Sequence, residues 1–266
     1  MEIIGFLGPE GSYSGLAAQK FCKNEERRAY RSFAFLMQGL ICGECSAAAF
    51  PIENSLNGSV TQVMDLLQYT EGVIASGCLT LRIDHRLAYL KGADIKGISR
   101  IYSHAQALEQ CGRYIFENFP NARTIETFST AAGLDMLKTH TDACIAGAHV
   151  KREGVVLSQE NIADEKNNFT AFLLVRKGTA TDVAKSQKIY FSAVCRHKAG
   201  ALSDLLRIIK DGGLNMTKIQ SRPVKESVGD YRFFIEAEGN VAENGVKKAL
   251  SEVQNFARSF KILGLY

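Results

Sequence analysis

The sequence lacks three features that would place it in large functional classes. No apolar run approaches the roughly 20 residues that a membrane-spanning helix needs. The first residues, Met1 to Gly5, contain no basic region and no cleavage site, so we expect no secretion signal. No stripe of basic residues is interleaved with aromatic ones, which argues against a nucleic-acid partner. We expect a protein that binds neither membrane nor nucleic acid.

The sequence also lacks a recognisable metal or disulfide framework. Its seven cysteines are odd in number and scattered through apolar stretches, which is typical of buried thiols in the reducing cytoplasm. Cys42 and Cys45 form a single CxxC pair, whereas a zinc site would need a second pair or histidines at ligand spacing. A redox pair would open a helix after a strand, but this pair follows an apolar helical run. We expect no metal, and two incidental thiols in a turn.

What the chain contains is enough apolar material for a substantial core. It has 266 residues, of which 46% are hydrophobic and 23% are charged, with a net charge of +4. This length and composition predict one large or two ordinary ordered domains. The mild positive charge would help to attract a dicarboxylate.

Strands and helices alternate over residues 1–177. The patterns predict strands at 2–7, 46–50, 73–81, 86–90, 100–102, 124–127, 143–146 and 172–176. They predict helices at 13–22, 33–41, 61–69, 105–119 and 130–138. Such alternation favours an α/β fold with a mostly parallel sheet, in which ligands bind beyond the carboxyl ends of the strands.

The rhythm changes after a polar linker at 178–187. Residues 188–266 predict the order β-α-β-β-α-β, the split βαβ arrangement, with strands at 189–194, 216–221, 231–237 and 260–263 and helices at 201–210 and 241–256. A unit of this size cannot cover both faces of its sheet, so we expect it to pair with a second copy.

Two early segments carry polar groups at strand ends. The turn 8–14 (GPEGSYS) joins a strand to a helix, and its glycines and Ser12 fit either an anion site or a plain capped turn. Glu53, Asn54 and Ser55 follow a buried strand directly. Glu53 could anchor a hydroxyl or donate a proton if burial raises its pKa, although an exposed turn explains the same residues.

Two later segments have similar character. Ser103 and Gln106 have the spacing of a capping box before an apolar helix, with His104 a possible proton carrier between them. Asn168, Thr170 and Phe172 alternate with apolar neighbours, which predicts one face of an extended stretch. An amide, a hydroxyl and a ring on one face suit a flat cyclic ligand, but also the start of a half-buried strand.

The order and spacing of these segments resemble the catalytic domain of prephenate dehydratases. The likeness covers residues 1–177 and is carried by the segments 8–14, 51–55, 103–108 and 168–172, with further matches at 129–132, 143–146 and Asp164. It implies two α/β lobes like those of periplasmic binding proteins, joined by crossovers near Ser76 and Glu165. It also implies catalytic roles for Glu53, Asn54, Gln106 and Thr170, and substrate binding by Ser12, Ser55, Ser103, Asn168 and Phe172.

The C-terminal segment resembles an ACT regulatory module, which has a ferredoxin-like βαββαβ fold. The resemblance rests on Gly200, Ala201 and Leu202 and on Ser221, Arg222 and Pro223. With Asn215, these residues are implied to form a phenylalanine pocket between two modules of a homodimer or homotetramer. A dimerisation module without a ligand remains the alternative.

The resemblance implies loss of carbon dioxide and the ring hydroxyl from prephenate, giving phenylpyruvate and, in turn, phenylalanine. Aromatisation drives the reaction, so no cofactor is implied. Thr170 would hydrogen-bond the departing oxygen, Glu53 would be a proton source, and Phe172 would pack the ring.

One position departs from the family motif, which usually reads Thr-Arg-Phe where this chain has Ala171 in the middle. An arginine there would bind a carboxylate, and one outcome that fits is that Arg82, Arg86 or Lys166 substitutes for it. Three alternatives stay open: arogenate as the substrate, decarboxylation of prephenate without aromatisation, and an inactive amino-acid sensor.

Overall fold

The computed structural model describes residues 2–22, 25–182, 186–196, 198–224 and 229–266. Within these ranges the strands are β1 Ile3–Leu7, β2 Glu26–Tyr30, β3 Ala47–Asn54, β4 Gly58–Ser59, β5 Val73–Arg82, β6 His85–Leu90, β7 Arg100–Ser103, β8 Arg123–Glu126, β9 Asp142–Gly147, β10 Val155–Leu157, β11 Phe169–Lys177, β12 Lys188–Val194, β13 Asn215–Pro223, β14 Tyr231–Glu238 and β15 Ser259–Leu265. The helices are α1 Tyr13–Phe21, α2 Phe33–Cys42, α3 Thr61–Tyr69, α4 Ala105–Gln110, α5 Gly112–Asn118, α6 Ala201–Asp211 and α7 Asn244–Phe256. Short 3-10 turns occupy Ile95–Gly97, Ala131–Met136 and Ala180–Asp182.

The strands form two mixed sheets rather than the mostly parallel sheet that the alternation predicts. The larger has the order β13-β14-β12-β15-β5-β11-β3-β1-β2, and the smaller has the order β10-β6-β9-β7-β8. β1, β2 and β3 are parallel, but β11 returns antiparallel to both of its neighbours, β3 and β5. The antiparallel pairs arise because the chain leaves the large sheet along β5 and comes back along β11.

The two sheets define two lobes. The first lobe contains β1 to β5, β11 and α1 to α3, and the second contains β6 to β10, α4 and α5. The chain passes to the second lobe at residues 83–84 and returns through 158–168, a segment that includes Glu165. The first crossover therefore lies beyond the expected position at Ser76, because β5 continues past it to Arg82.

Several local predictions differ from the structure. β2 was not predicted because its sequence, ERRAY, is charged and largely exposed, and β4 and β10 are too short to show a pattern. The helix expected at 105–119 divides at Cys111, and the one expected at 130–138 is a 3-10 turn. Cys42 ends α2 and Cys45 precedes β3, so the CxxC pair lies in a turn, and all seven cysteines are free.

Residues 186–266, hereafter the C-terminal unit, have the predicted element order β-α-β-β-α-β, and their strands are antiparallel in the order β13-β14-β12-β15. Residues 183–185 of the expected linker lie outside the described ranges. Helices α6 and α7 cover one face of this sheet. The other face packs Tyr190 and Phe234 against α3 of the first lobe. The chain itself thus covers the face that was expected to need a second copy.

The C-terminal unit also extends the sheet of the first lobe. β15 runs parallel to β5 and pairs with it at Gly264 and Ala75. A Cβ at position 264 would lie 2.8 Å from the Cβ of Ala75, so the two backbones approach this closely only because residue 264 is glycine. Among the described helices, none is long and apolar enough to cross a membrane.

Candidate active site

A cavity of ≈ 690 Å³ lies between the lobes. The turn before α1 forms the wall on the first lobe, and the start of α4 and the segment 128–131 form the wall on the second lobe. Ser12 caps α1 by accepting a hydrogen bond from the Gly15 N–H at 3.2 Å, and it donates to the Leu7 carbonyl at 3.1 Å. The turn chemistry thus places the positive end of α1 at the cavity.

A network of amides surrounds Thr170 at the base of the junction between the lobes. The side-chain N–H₂ of Asn54 lies 3.0 Å from Thr170 Oγ1, 2.7 Å from Asn168 Oδ1 and 3.1 Å from the Phe169 carbonyl. Asn54 Oδ1 accepts the N–H groups of Leu56 and Asn57 and so stabilises the turn that follows β3. The structure therefore brings together Asn54, Asn168 and Thr170, as the sequence suggested.

The network continues into the second lobe through Asn57. Its Oδ1 accepts hydrogen bonds from Gln106 Nε2 at 2.7 Å and from Gln110 Nε2 at 3.0 Å. Gln110 Oε1 accepts from Asn168 Nδ2 at 3.3 Å. Gln106 lines the cavity and Thr170 does not, so this network is what connects Thr170 to the cavity.

Gln110 and Asn57 were missed from the sequence, although each has a positional signal. Gln110 follows Gln106 by four residues in α4 and therefore shares its face. Asn57 follows Asn54 by three residues in the tight turn between β3 and β4. The partners of both side chains are amides of distant segments. Their role can therefore be recognised only when the two lobes are seen together.

His85 is a further buried member that no motif indicated. It is 4% exposed, and its Nε2 lies 2.9 Å from Gln110 Oε1. Burial lowers the pKa of His85, and the hydrogen bond to Gln110 opposes this only in part. Its Nδ1 is buried without a hydrogen-bond partner in the described chain. His85 is therefore a neutral imidazole that donates from Nε2 and fixes the orientation of the Gln110 amide.

Tyr13 ties α1 to the crossover between the lobes. Its hydroxyl donates to the Asp84 carbonyl at 2.7 Å and accepts the Asp84 N–H at 2.8 Å. Burial raises the pKa of Tyr13 to about 12, so it remains a neutral phenol and acts as a fixed link.

Ser103 does not form the capping box that was expected. It is 0% exposed, and its hydroxyl faces the Ile145 carbonyl at 3.5 Å because it is still the last residue of β7. His104 is the N-cap, and its Nδ1 accepts from the Gln106 N–H at 3.3 Å.

Ser55 and Phe172 also lie away from the cavity surface. The Ser55 hydroxyl donates to the Asn167 carbonyl at 3.2 Å and accepts the Phe169 N–H at 2.9 Å, so it joins two chain segments. Phe172 is 2% exposed and packs under α1 with Ile4 and Phe6. The ring of Phe172, two residues after Thr170 in β11, therefore lies in the core of the first lobe.

Glu53 does not face Thr170. In β3 it precedes Asn54, so the two side chains point to opposite faces of the strand. Its Oε2 forms an ion pair at 2.9 Å with Lys218 Nζ of the C-terminal unit. Ala171 is paired in register with Glu53 and packs on the same face. An arginine at position 171 would therefore point towards Glu53 and not towards Thr170.

The three cations expected to replace that arginine have other partners. Arg82 Nε lies 3.1 Å from Asp84 Oδ1, Arg86 donates to the Gln159 carbonyl, and Lys166 Nζ donates to the Asn161 carbonyl at 2.8 Å. Among the described residues that line the cavity, Arg31 is the one arginine or lysine. Its guanidinium carbon lies 3.8 Å from the centroid of the Phe35 ring.

The residues of the expected phenylalanine pocket lie at the start of α6 and along β13. Gly200 has a φ of +81° and caps α6, Ala201 is 5% exposed, and Leu202 packs against the core beneath α6. Ser221 and Pro223 are exposed, and Asn215 donates to Glu238 at 2.7 Å. Arg222 points the other way, and its Nη2 lies 3.1 Å from Asp65 Oδ2 in α3. Arg222 thus belongs to the contact with the first lobe.

The family model for prephenate dehydratase matches residues 4–180, which contain the cavity and the whole amide network. The chain belongs to the prephenate dehydratase family. It is an enzyme of this family, a carbon–oxygen lyase of the hydro-lyase type. The bifunctional chorismate mutase/prephenate dehydratase of Enterobacter agglomerans is 32% identical over 272 residues, spanning 99% of this chain and 70% of that relative.

Solved structures give the same fold over the whole chain. The prephenate dehydratase of Arthrobacter aurescens, in complex with L-Phe, has a TM-score of 0.86 and 26% identity, covering 98% of this chain and 88% of that one. GqqA, described as a novel type of quorum quenching acylase, has a TM-score of 0.88 and 26% identity, covering 100% of this chain and 97% of that one.

Proposed function

We propose that this enzyme converts prephenate to phenylpyruvate. The observation that carries the proposal is the hydroxyl of Thr170 held by Asn54 and Asn168 at the junction of the two lobes. In this reaction the bond to the ring carboxylate breaks and its electron pair enters the ring. The carbon–oxygen bond on the opposite side of the ring breaks, and hydroxide leaves. Carbon dioxide, hydroxide and an aromatic product account for every atom of the dianion.

We place the substrate so that it extends from the cavity past Gln106 to the half-buried side chain of Thr170, whose hydroxyl would assist the departing hydroxide. The Thr170 oxygen accepts a hydrogen bond from Asn54, which leaves its own proton free to donate. Within the described ranges Thr170 forms no other side-chain hydrogen bond. A donor fixed where negative charge develops stabilises the transition state more than the ground state. The hydroxide is then released to solvent and neutralised there, since the Glu53 carboxylate lies on the other face of β3.

The cavity offers groups of the right charge for a dianion. The start of α1 presents backbone N–H groups, and Arg31 presents a guanidinium that can bind a carboxylate with two hydrogen bonds. Because Ala171 faces Glu53, its lack of charge removes no ligand from the cavity. The departure from the motif at position 171 therefore gives no reason to prefer the alternatives that it left open.

We extend the proposal to regulation. The C-terminal unit would act as an ACT module that binds L-phenylalanine between the start of α6 and the end of β13, and that lowers activity in response. The L-Phe bound to the relative from Arthrobacter aurescens supports this assignment. We place the enzyme in the cytoplasm, as a homodimer or homotetramer, and the free cysteines agree with a reducing compartment.

Replacement of Thr170 by alanine tests the proposed role of its hydroxyl. We expect kcat for prephenate to fall on the order of a hundred- to a thousandfold, as for the loss of one donor to a developing oxyanion. The absorbance of phenylpyruvate in base measures the rate. Thr124→Ala, at an exposed position on β8, is the matched control and should retain activity. A Thr170→Ala variant with wild-type kcat would overturn the assignment.

A further inference from the structure

Lys218 forms an ion pair across the boundary between the C-terminal unit and the first lobe, in which the lysine side chain is sheltered and the Glu53 side chain is 44% exposed. The Lys218 side chain is 13% exposed, and its Nζ lies 2.9 Å from Glu53 Oε2. Within the described ranges Lys218 forms no other ion pair, and its ammonium nitrogen is buried. A buried ammonium without an anion is strongly unfavourable, so the contact favours the arrangement in which the Glu53 carboxylate stays beside Lys218.

Glu53 is well placed to transmit this restraint to the amide network. It directly precedes Asn54 in β3, and the two residues pair across the sheet with Ala171 and Thr170 respectively. A contact that holds the Glu53 side chain on one face fixes the backbone that directs Asn54 towards Thr170 on the other face.

The restraint comes from the C-terminal unit because β11 supplies no charge on that face. Ala171 is the cross-strand neighbour of Glu53, and such neighbours have Cβ atoms about 5 Å apart. A cation at position 171 would reach Glu53 from within the first lobe. Because residue 171 is alanine, the partner of Glu53 is Lys218 of β13. The same strand carries Ser221, three residues after Lys218.

We propose that Lys218 is a positioning residue for the site, which holds Glu53 and thereby keeps Asn54 in contact with Thr170. The inference rests on the proposed function for its kinetic consequence. It makes the geometry of the site depend on the position of β13, so that a ligand bound beside Ser221 has a direct route to Asn54.

The test compares Lys218→Met with a double variant that restores the cation on the other strand, Lys218→Met with Ala171→Arg. We expect Lys218→Met to lower kcat on the order of ten- to a hundredfold with little change in KM, because the substrate-binding wall is untouched while Asn54 is displaced. The double variant should regain most of this loss. In ¹⁵N-resolved NMR spectra, Lys218→Met should shift the side-chain amide of Asn54, and Ala171→Arg should reverse the shift.

Lys261→Met is the matched control. Lys261 lies in the same contact between the C-terminal unit and the first lobe, is 16% exposed, and bonds the Gln68 and Thr70 carbonyls and Glu71. If Lys261→Met lowers kcat and shifts Asn54 equally, or if Ala171→Arg gives no recovery, the positioning role is wrong. If the wild type does not turn over prephenate, the proposed function fails, and the NMR shifts still decide the role of Lys218.

Discussion

At the residue scale, the site depends on amides with more than one partner. Asn57 accepts two hydrogen bonds from α4, and Asn54 reaches three acceptors while its own oxygen accepts two backbone N–H groups. Side chains with so many fixed partners have little freedom to rotate. The direction of the Thr170 hydroxyl is therefore determined by the amide side chain of Asn54 that contacts it.

Arg31 is the single side chain on which binding of a dianion should depend most. We expect Arg31→Met to raise KM for prephenate by roughly ten- to a hundredfold with kcat little changed, because a charge-assisted contact contributes about 1.5–3 kcal/mol to binding. Steady-state kinetics at low salt measure the effect. Arg123→Met, at an exposed position on β8, is the control. An unchanged KM in Arg31→Met would show that the carboxylates bind elsewhere.

At the element scale, α4 connects the second lobe to the network around Thr170. His85 holds the Gln110 side chain of α4 through a hydrogen bond. The pKa of His85 is lowered by burial from its ordinary value of 6.5, so the folded protein binds fewer protons at this site than the unfolded chain. The free energy of unfolding should therefore fall as the pH drops from about 6.5 towards the lowered pKa of the folded state. The pKa of His149 is also lowered, chiefly by burial, so His149 adds to the loss of stability over the same pH range.

The prediction is that His85→Asn reduces this loss of stability at acid pH. Denaturant unfolding at about pH 7.5 and about pH 5.5 measures it, since these values lie on either side of an ordinary histidine pKa. His140→Asn, at an exposed position, should leave the loss as in the wild type. If both variants lose as much stability as the wild type, burial of His85 is not the cause.

The sequence predicted elements with a strong periodicity better than elements defined by their partners. The helices near Tyr13, Phe33 and Thr61 form as expected because their apolar spacing encodes one buried face. β2 is an edge strand whose exposed, charged side chains give no such pattern. The direction of β11 depends on where the chain returns from the second lobe, which no local window contains.

The same distinction applies to the site. Asn54, Asn168, Thr170 and Gln106 follow from motif order, and the structure joins them in one network. Glu53 was assigned to the same site because it belongs to the same motif as Asn54, but strand alternation turns it to the other face. His85 and Gln110 could not be found without the packing of the two lobes.

At the scale of the whole molecule, the C-terminal unit and the first lobe share one sheet and, among the described residues, three ion pairs. Lys218, Arg222 and Lys261 reach Glu53, Asp65 and Glu71 across the boundary. A change in the position of β13 therefore alters groups next to the amide network. This arrangement gives regulation by a small ligand a short physical path.

Phenylalanine should stabilise the wild-type enzyme and inhibit it, because a ligand that binds only the folded state raises its apparent stability. Ser221→Ala should weaken inhibition by roughly two- to tenfold, the range for one lost neutral hydrogen bond. Thermal unfolding and the phenylpyruvate rate at increasing phenylalanine concentrations measure both effects. Ser251→Ala, exposed on α7, is the control, and a wild type that does not respond to phenylalanine would remove the regulatory claim.

The central claim is that the enclosed amide and hydroxyl groups promote fragmentation of prephenate to an arene. Simultaneous measurement of carbon dioxide and phenylpyruvate from purified enzyme and prephenate tests it most directly. The account predicts equal amounts of the two products at every time point, formed far faster than without enzyme. Carbon dioxide without phenylpyruvate, or no turnover of prephenate at all, would contradict it.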